Sequence, residues 1–262
     1  MAKELNVNIV FSTAPNMTEH FQFYNYEFPP YRQFMLVPVG SWNYECADGH
    51  SDVDTKAIFL PSIDDVIEGK CEAYTHLLPN EEHIDCCDIR NYMKSLIKGN
   101  PQFVETLFSH WGYFNMLFYG EEIHALLNLR EKIARCNPQN TMRAFLGMAE
   151  RNYKLVNDRF YEDHINKWAY QLMRIEECMC KYSQGRSFED CLISNKRDDL
   201  LAVKNGKFSK EELISKSAAI IDTCKIHYDV MKAINEPEDK WTQKLIKEIV
   251  KQVCKKSIER VD

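Results

Sequence analysis

Asp52 and Asp54 are separated by a single residue in the run Ser51-Asp52-Val53-Asp54-Thr55. In an extended chain, residues i and i+2 share a face. The two carboxylates are therefore expected side by side, with Val53 turned to the core behind them. Adjacent ionised carboxylates repel, and a divalent cation is the usual means of keeping both charged. Mg²⁺ takes one or two carboxylates and completes its shell with water and substrate phosphate oxygens. A third carboxylate close by allows two ions about 3.5–4 Å apart, which bridge the attacking and leaving oxygens of a phosphoryl displacement. Val39-Gly40-Ser41 precedes the pair by a spacer of ten residues. Glycine lets a backbone approach a phosphate closely, and a helix opened by Ser41 turns its N-terminal amides toward an anion. Anion-binding turn, spacer and acidic strand together imply a nucleoside triphosphate site.

The elements that must position these groups are legible as patterns. Residues 34–39 form a short apolar run ending at Gly40, as expected of a buried strand followed by a tight turn. Residues 53–60 alternate and are rich in β-formers, which predicts the strand that carries Asp54. Ser62-Ile63-Asp64-Asp65 has the form of a helix N-cap with early acidic residues. Strands are expected over 71–78 and 83–87, separated by a turn at Pro79-Asn80, and helices over 89–97 and 102–108.

From about Asn137 the character changes. Amphipathic stretches cover 141–156, 162–182, 210–234 and 241–258, with few glycines or prolines inside them. The expected fold class is α+β: a mixed sheet with flanking helices over residues 1–136, then a helical bundle over 137–262.

Composition sets bounds. The chain has 262 residues, 45% hydrophobic and 27% charged, enough for a well-buried core. A net charge of -6 excludes a surface that is basic overall, though a local basic patch can still hold phosphate. No apolar run approaches the ~20 residues that span a bilayer, and the first residues lack a signal-peptide pattern, so a cytosolic protein with no membrane partner is expected. The ten cysteines show no C-x-x-C pair and are read as reduced, mostly buried thiols.

The segments Gly40-Ser41-Trp42-Asn43-Tyr44 and Ser51-Asp52-Val53-Asp54-Thr55-Lys56 resemble the DNA polymerase β-type nucleotidyltransferases. More narrowly they resemble the bacterial and phage "predicted nucleotidyltransferase" group, with its G-S-x-x-Y and S-D-x-D runs. The likeness extends through residues 98–108 and, more faintly, 166–174, so that it spans about residues 35–180. It implies a small mixed sheet followed by a helical part. It also implies an Mg²⁺- or Mn²⁺-dependent transfer of a nucleoside monophosphate from an NTP to a hydroxyl acceptor, with release of pyrophosphate. Acceptor candidates are an RNA 3′ end, a small molecule and a protein side chain. Under this resemblance Gly40 and Ser41 cradle the β- and γ-phosphates, and Asp52 and Asp54 hold the metal. A third carboxylate lies on a later strand, Asp85 being preferred over Asp88, which fits a helix N-cap equally well.

Other residues carry expectations of their own. Lys56 shares a strand face with Asp54 and pairs either with the carboxylates or with a phosphate. Lys167 and Arg174, seven residues apart, share a helical face. They are either triphosphate ligands from the helical half or ordinary surface charges. His76 and His83 flank the Pro79-Asn80 turn, as substrate contacts or as structural histidines. Asn100 reads as an N-cap before Pro101, and Glu105 faces either the site or a buried arginine. The lysine-rich stretch 244–256 reads as a solvated helix face, with an RNA-contacting surface as the lesser alternative. The competing function is a catalytically silent protein that keeps this fold as a regulatory or phage-encoded inhibitor of a host system. The intact Asp52-Val53-Asp54 favours the enzyme.

Overall fold

The computed structural model describes residues 15–47 and 51–259. In chain order it contains α1 (Thr18–Glu27), β1 (Gln33–Pro38), β2 (Thr55–Phe59), α2 (Ile63–Ile67), β3 (Ala73–Leu77), β4 (His83–Asp88), α3 (Ile89–Ile97), α4 (Pro101–Val104), β5 (Tyr113–Phe114) and α5 (Met116–Asn128). The chain continues as α6 (Arg130–Ala134), α7 (Pro138–Asn157), α8 (Ile165–Ser183), α9 (Phe188–Leu192), α10 (Arg197–Lys204), α11 (Lys210–Ile234) and α12 (Lys240–Ile258). The class is α+β, with one mixed sheet and a predominantly helical second half.

The sheet has five strands in the order β3-β4-β2-β1-β5. β1 is antiparallel to β2, β2 is parallel to β4, and β3 and β4 form an antiparallel hairpin. β1 lies between β2 and β5 and is buried along its whole length, as its apolar run requires. Side-chain alternation divides the sheet into two faces. Leu36, Ala57, Phe59, Ile84 and Cys86 pack under α1, with Tyr24 and Phe28. Met35, Val37, Ile58, Leu60 and Cys87 face the other way and join the large core that continues into the helical half.

That core runs without a break across residues 136–137. It takes in Tyr92 and Leu96 of α3, Phe145 of α7, Tyr182 of α8 and Val253 of α12. α12 returns to pack on α3, α5 and α6. The last helix of the chain is thus built into the first half.

The helices at 89–97, 210–234 and 241–258 lie where their periodicity places them, to within a residue. Capping explains several starts. Ser62 accepts from the Asp65 amide in a full capping box, and Asn100 accepts from the Gln102 amide ahead of Pro101. Two expected helices shorten to tighter turns. Residues 40–42 form a single 3₁₀ turn, and the expected helix over 102–108 is α4 followed by a 3₁₀ turn at Glu105–Phe108. α1, β5, α5, α6, α9 and α10 were not anticipated by pattern. No helix among the described residues is long and apolar enough to cross a membrane. All ten cysteines are free thiols, seven of them buried.

Candidate active site

The site lies at the ends of β1, β2 and β4, on the sheet face that looks toward the helical half. The β1–β2 pairing extends one step beyond the strands, where the Val39 amide donates to the Asp54 carbonyl at 2.9 Å. The chain then turns sharply at Gly40, whose φ of +72° is a conformation that L side chains rarely adopt. The Asn43 amide closes this turn on the Gly40 carbonyl, and the Cys46 amide reaches the Ser41 carbonyl, each at 3.0 Å.

Asp52 and Asp54 sit in the extended stretch that leads into β2, just short of the strand itself. Two braces hold that stretch. The Trp42 indole donates to the Asp52 carbonyl at 3.1 Å. The Val53 amide, between the two aspartates, donates to Glu82 at 2.8 Å. The other Glu82 oxygen meets His20 Nε2 at 3.0 Å and the Asn80 amide at 2.8 Å. His20, wholly buried, reaches Thr55 Oγ1 at 2.8 Å through its second nitrogen. Burial opposes the Glu82 charge, but the Val53 amide, His20 and Asn80 outweigh it and hold the carboxyl below its ordinary range. Sequence reasoning missed this brace, because Glu82 and His20 join Val53 and Thr55 only through the tertiary fold.

Asp54 Oδ1 accepts from the His83 backbone amide at 3.2 Å and meets the His83 ring at 3.3 Å. His83 is therefore part of the site. His76 is not, because it stacks on Phe23 with centroids 4.0 Å apart. Parallel pairing sets Lys56 opposite Asp85. The Lys56 ammonium, its side chain only 8% exposed, lies 3.0 Å from Asp85 Oδ2 and 4.8 Å from the centre of the Phe103 ring. The other Asp85 oxygen accepts from Thr75 at 2.7 Å. Burial raises the Asp85 pKa, while the Lys56 charge and the bonds from Thr75 and Lys56 lower it further, for a net decrease.

Both Asp85 oxygens are engaged, one by the Lys56 ammonium and one by the Thr75 hydroxyl. Among the described residues no group of three or more His, Cys, Asp or Glu side chains is assembled to hold a metal ion. Asp88 does not line the cleft described below. It is buried, caps α3 through the Arg90 amide and is paired with the Arg90 guanidinium.

The opposite wall is α8. A cavity of about 570 Å³ is lined by Gly40, Ser41, Asp54, Lys56 and Asp85 from the sheet side, and by Arg151 of α7 and Gln171 and Arg174 of α8. A second cavity of about 250 Å³ shares Gly40, Ser41, Asp54 and Gln171 with it, and adds Asp52, Lys167 and Lys204. The two are lobes of one cleft, of a size typical for small ligands and cofactors. The structure thus brings Lys167 and Arg174 to the same cleft as Ser41. Arg151 and Lys204 gave no signal in the sequence: Arg151 looks like a polar-face residue of an amphipathic helix, and Lys204 lies where no element was expected.

Arg174 is 9% exposed and lies flat on Tyr44, its guanidinium carbon 3.5 Å from the ring centre. The Tyr44 hydroxyl donates to Glu105. Glu105 is 4% exposed and also lines the larger lobe. Burial pushes its carboxyl up to about 8, against the opposing pull of Arg174. Glu105 therefore faces both the site and the buried arginine.

The chain matches no known protein-family model and no curated protein.

Proposed function

We propose that this protein is a metal-dependent nucleotidyltransferase that binds a nucleoside triphosphate between the Gly40–Ser41 turn and α8. One observation carries the reading: Gly40, Ser41, Asp52, Asp54 and Lys167 line a single lobe, and Arg174 lines the lobe that joins it. An anion-accepting turn, a carboxylate pair and facing cations are what a metal-bound polyphosphate needs.

The donor set fits one Mg²⁺ or Mn²⁺. Asp52 and Asp54 are both exposed to the same lobe. Among the described residues the Asp52 carboxylate has no hydrogen-bond or ion-pair partner, and Asp54 is engaged at one oxygen only. Asp52 and Asp54 would hold the ion, which when bound neutralises phosphate charge and polarises the α-phosphate. Glu82 and Trp42 fix the backbone between the two carboxylates. Gly40 and Ser41 supply the turn against which phosphates lie. Lys167 and Arg174 offset phosphate charge that one ion leaves unbalanced. Asp85, held by Lys56 and Thr75, would accept a hydrogen bond from an acceptor hydroxyl.

A second reading is supported by the same Lys56–Asp85 pair. A site with two metal-facing carboxylates instead of three also suits a silent nucleotidyltransferase-fold protein that binds nucleotide as a regulatory or interaction module. Incubation with each labelled nucleoside triphosphate, with Mg²⁺ or Mn²⁺ and in turn RNA, protein and small-molecule pools, separates the two. Label transferred by the wild type and not by Asp54→Asn supports the enzyme. Binding of nucleotide without any transfer supports the silent module, and absence of both removes the nucleotide reading altogether.

A further inference from the structure

The larger lobe holds a group that phosphate binding by itself does not explain: a buried carboxyl beside a buried arginine, with no ion pair between them. Arg32, Arg90 and Arg130 are each paired with an acid. Among the described residues neither Arg151 nor Arg174 has an acid within ion-pair distance. Glu105 is close enough to Arg174 for the charges to interact, yet its bond is to the Tyr44 hydroxyl. Tyr44 in turn carries the guanidinium on its ring face.

We propose that Glu105 and Tyr44 are positioning residues that keep the Arg174 guanidinium uncommitted at the cavity wall, so that with Arg151 it binds a phosphate group of the ligand. The identity of that anion as a nucleotide phosphate rests on the function proposed above; the subsite itself rests on the geometry. Charge counting in the larger lobe agrees. Lys56 and Asp85 neutralise one another, which leaves Arg151 and Arg174 against Asp54 alone if Glu105 is neutral. With its carboxyl pushed up to about 8, Glu105 is neutral at pH 7. Once ionised it draws on the Arg174 charge, and the subsite weakens.

This gives proton-linked binding with a definite sign. Anion affinity is full well below pH 8 and falls as pH rises through that value. Several other groups face this region. Tyr44, Arg174 and Cys178 surround Glu105, and the Cys178 thiol is pushed up to about 11 by burial. Asp54, His83 and Asp85 face the lobe from the sheet, and Lys56 and Arg151 complete its charges. A variant at position 105 is what separates Glu105 from all of them.

Sulfate is the probe, because its two charges stay constant over the range where phosphate itself titrates. Binding is measured calorimetrically from about pH 6.5 to about 9.5 on the full chain, beside binding of a non-hydrolysable nucleoside triphosphate with Mg²⁺. The wild type is expected to lose about tenfold in sulfate affinity across this range. Glu105→Gln, neutral at every pH, is expected to keep the low-pH affinity throughout, and Arg174→Ala to lose sulfate binding. A flat wild-type profile, an unchanged decline in Glu105→Gln, or undiminished binding in Arg174→Ala overturns the proposal. Should Glu105→Gln not fold, Tyr44→Phe takes its place. It is expected to weaken sulfate binding below pH 8, and wild-type affinity there refutes the positioning role. Sulfate binding through Arg174 without nucleotide binding keeps the subsite and removes the nucleotide. Nucleotide binding indifferent to Arg174 and Glu105 does the reverse.

Discussion

Lys56 and Asp85 test whether this site is built around two carboxylates or three. The ammonium of Lys56 is almost wholly withdrawn from water, at 8% exposure, whereas the Asp85 side chain is 47% exposed. The two halves of the pair should therefore respond unequally to removal. Lys56→Met keeps an unbranched stem beside Phe103 and deletes the charge. The carboxylate left behind is half in water and keeps its bond from Thr75. The loss is then that of a screened pair, about 0.5–1.5 kcal/mol. Asp85→Asn leaves an ammonium in a poorly hydrated place with no anion beside it. That costs about 2–3 kcal/mol, held below the range for fully buried pairs by the exposure of the Asp85 side. Urea unfolding at pH 7, with unchanged slope, is the measurement. The double variant should show a coupling of about 1–2 kcal/mol relative to the two single ones.

Magnesium sharpens the same experiment. Ligand binding to the native state raises stability by mass action. Mg²⁺ together with a non-hydrolysable nucleotide is therefore expected to stabilise Asp85→Asn as much as the wild type, and Asp54→Asn much less. A Lys56→Met loss as large as that of Asp85→Asn would refute the unequal burial of the pair. Loss of the Mg²⁺-dependent gain in Asp85→Asn would make Asp85 a ligand, with Lys56 giving way when the ion binds. The pH dependence has a fixed sign too. The depressed Asp85 pKa contributes stability above the ordinary carboxylate range, lost as pH falls through the lowered value.

Asp54→Asn is expected to abolish transfer while leaving circular dichroism unchanged, since Asp54 is exposed and its removal opens no cavity; wild-type turnover in a folded variant would move the chemistry elsewhere. Arg174→Ala should weaken nucleotide binding about ten- to a hundredfold, the worth of one charge-assisted hydrogen bond of roughly 1.5–3 kcal/mol, with Arg174→Lys recovering part of it. Unchanged calorimetric affinity would reduce this face of α8 to packing. The raised Glu105 pKa makes stability fall as pH rises between its ordinary 4.5 and about 8, because only the native state holds that proton there. Glu105→Gln should flatten that stretch of the urea-derived profile, and a profile of unchanged slope would place the proton elsewhere. Gly40→Ala should cost only about 1 kcal/mol, the backbone penalty of positive φ, because a Cβ there meets nothing within 4 Å. Gly112→Ala should cost more, since its Cβ would lie 2.5 Å from the Leu36 carbonyl oxygen. Thermal melts showing the reverse order would contradict the turn geometry.

What the sequence shows of this site follows from how local each constraint is. The sheet end is legible because its causes lie within a few residues. An apolar run must be buried, a glycine must take the turn, and alternation must place Asp54 and Lys56 on one face. The same locality accounts for the agreement at 89–97 and 210–234, where capping and a 3.6-residue period act within the helix itself. The Gly40–Ser41 helix shrank to one turn for a local reason as well. Tyr44 and Cys46 lie just beyond it and are buried in the core, and the Cys46 amide is bonded back to Ser41. The chain is drawn inward before a second turn can form.

The partners of Asp85 and Glu105 are not fixed locally, because each is distant in sequence. Strand parity gives Asp85 the correct face. The parallel register, which sets it opposite Lys56 across 29 residues, makes it half of an ion pair. Glu105 is ordinary until α4 and the 3₁₀ turn after it bury it against Tyr44, 61 residues away, and α8 brings Arg174 alongside. Burial then pushes its carboxyl up to about 8, far from the value its sequence context suggests. The subsite proposed here depends on that shift: an ionised carboxylate at position 105 would compete with a bound anion for Arg174.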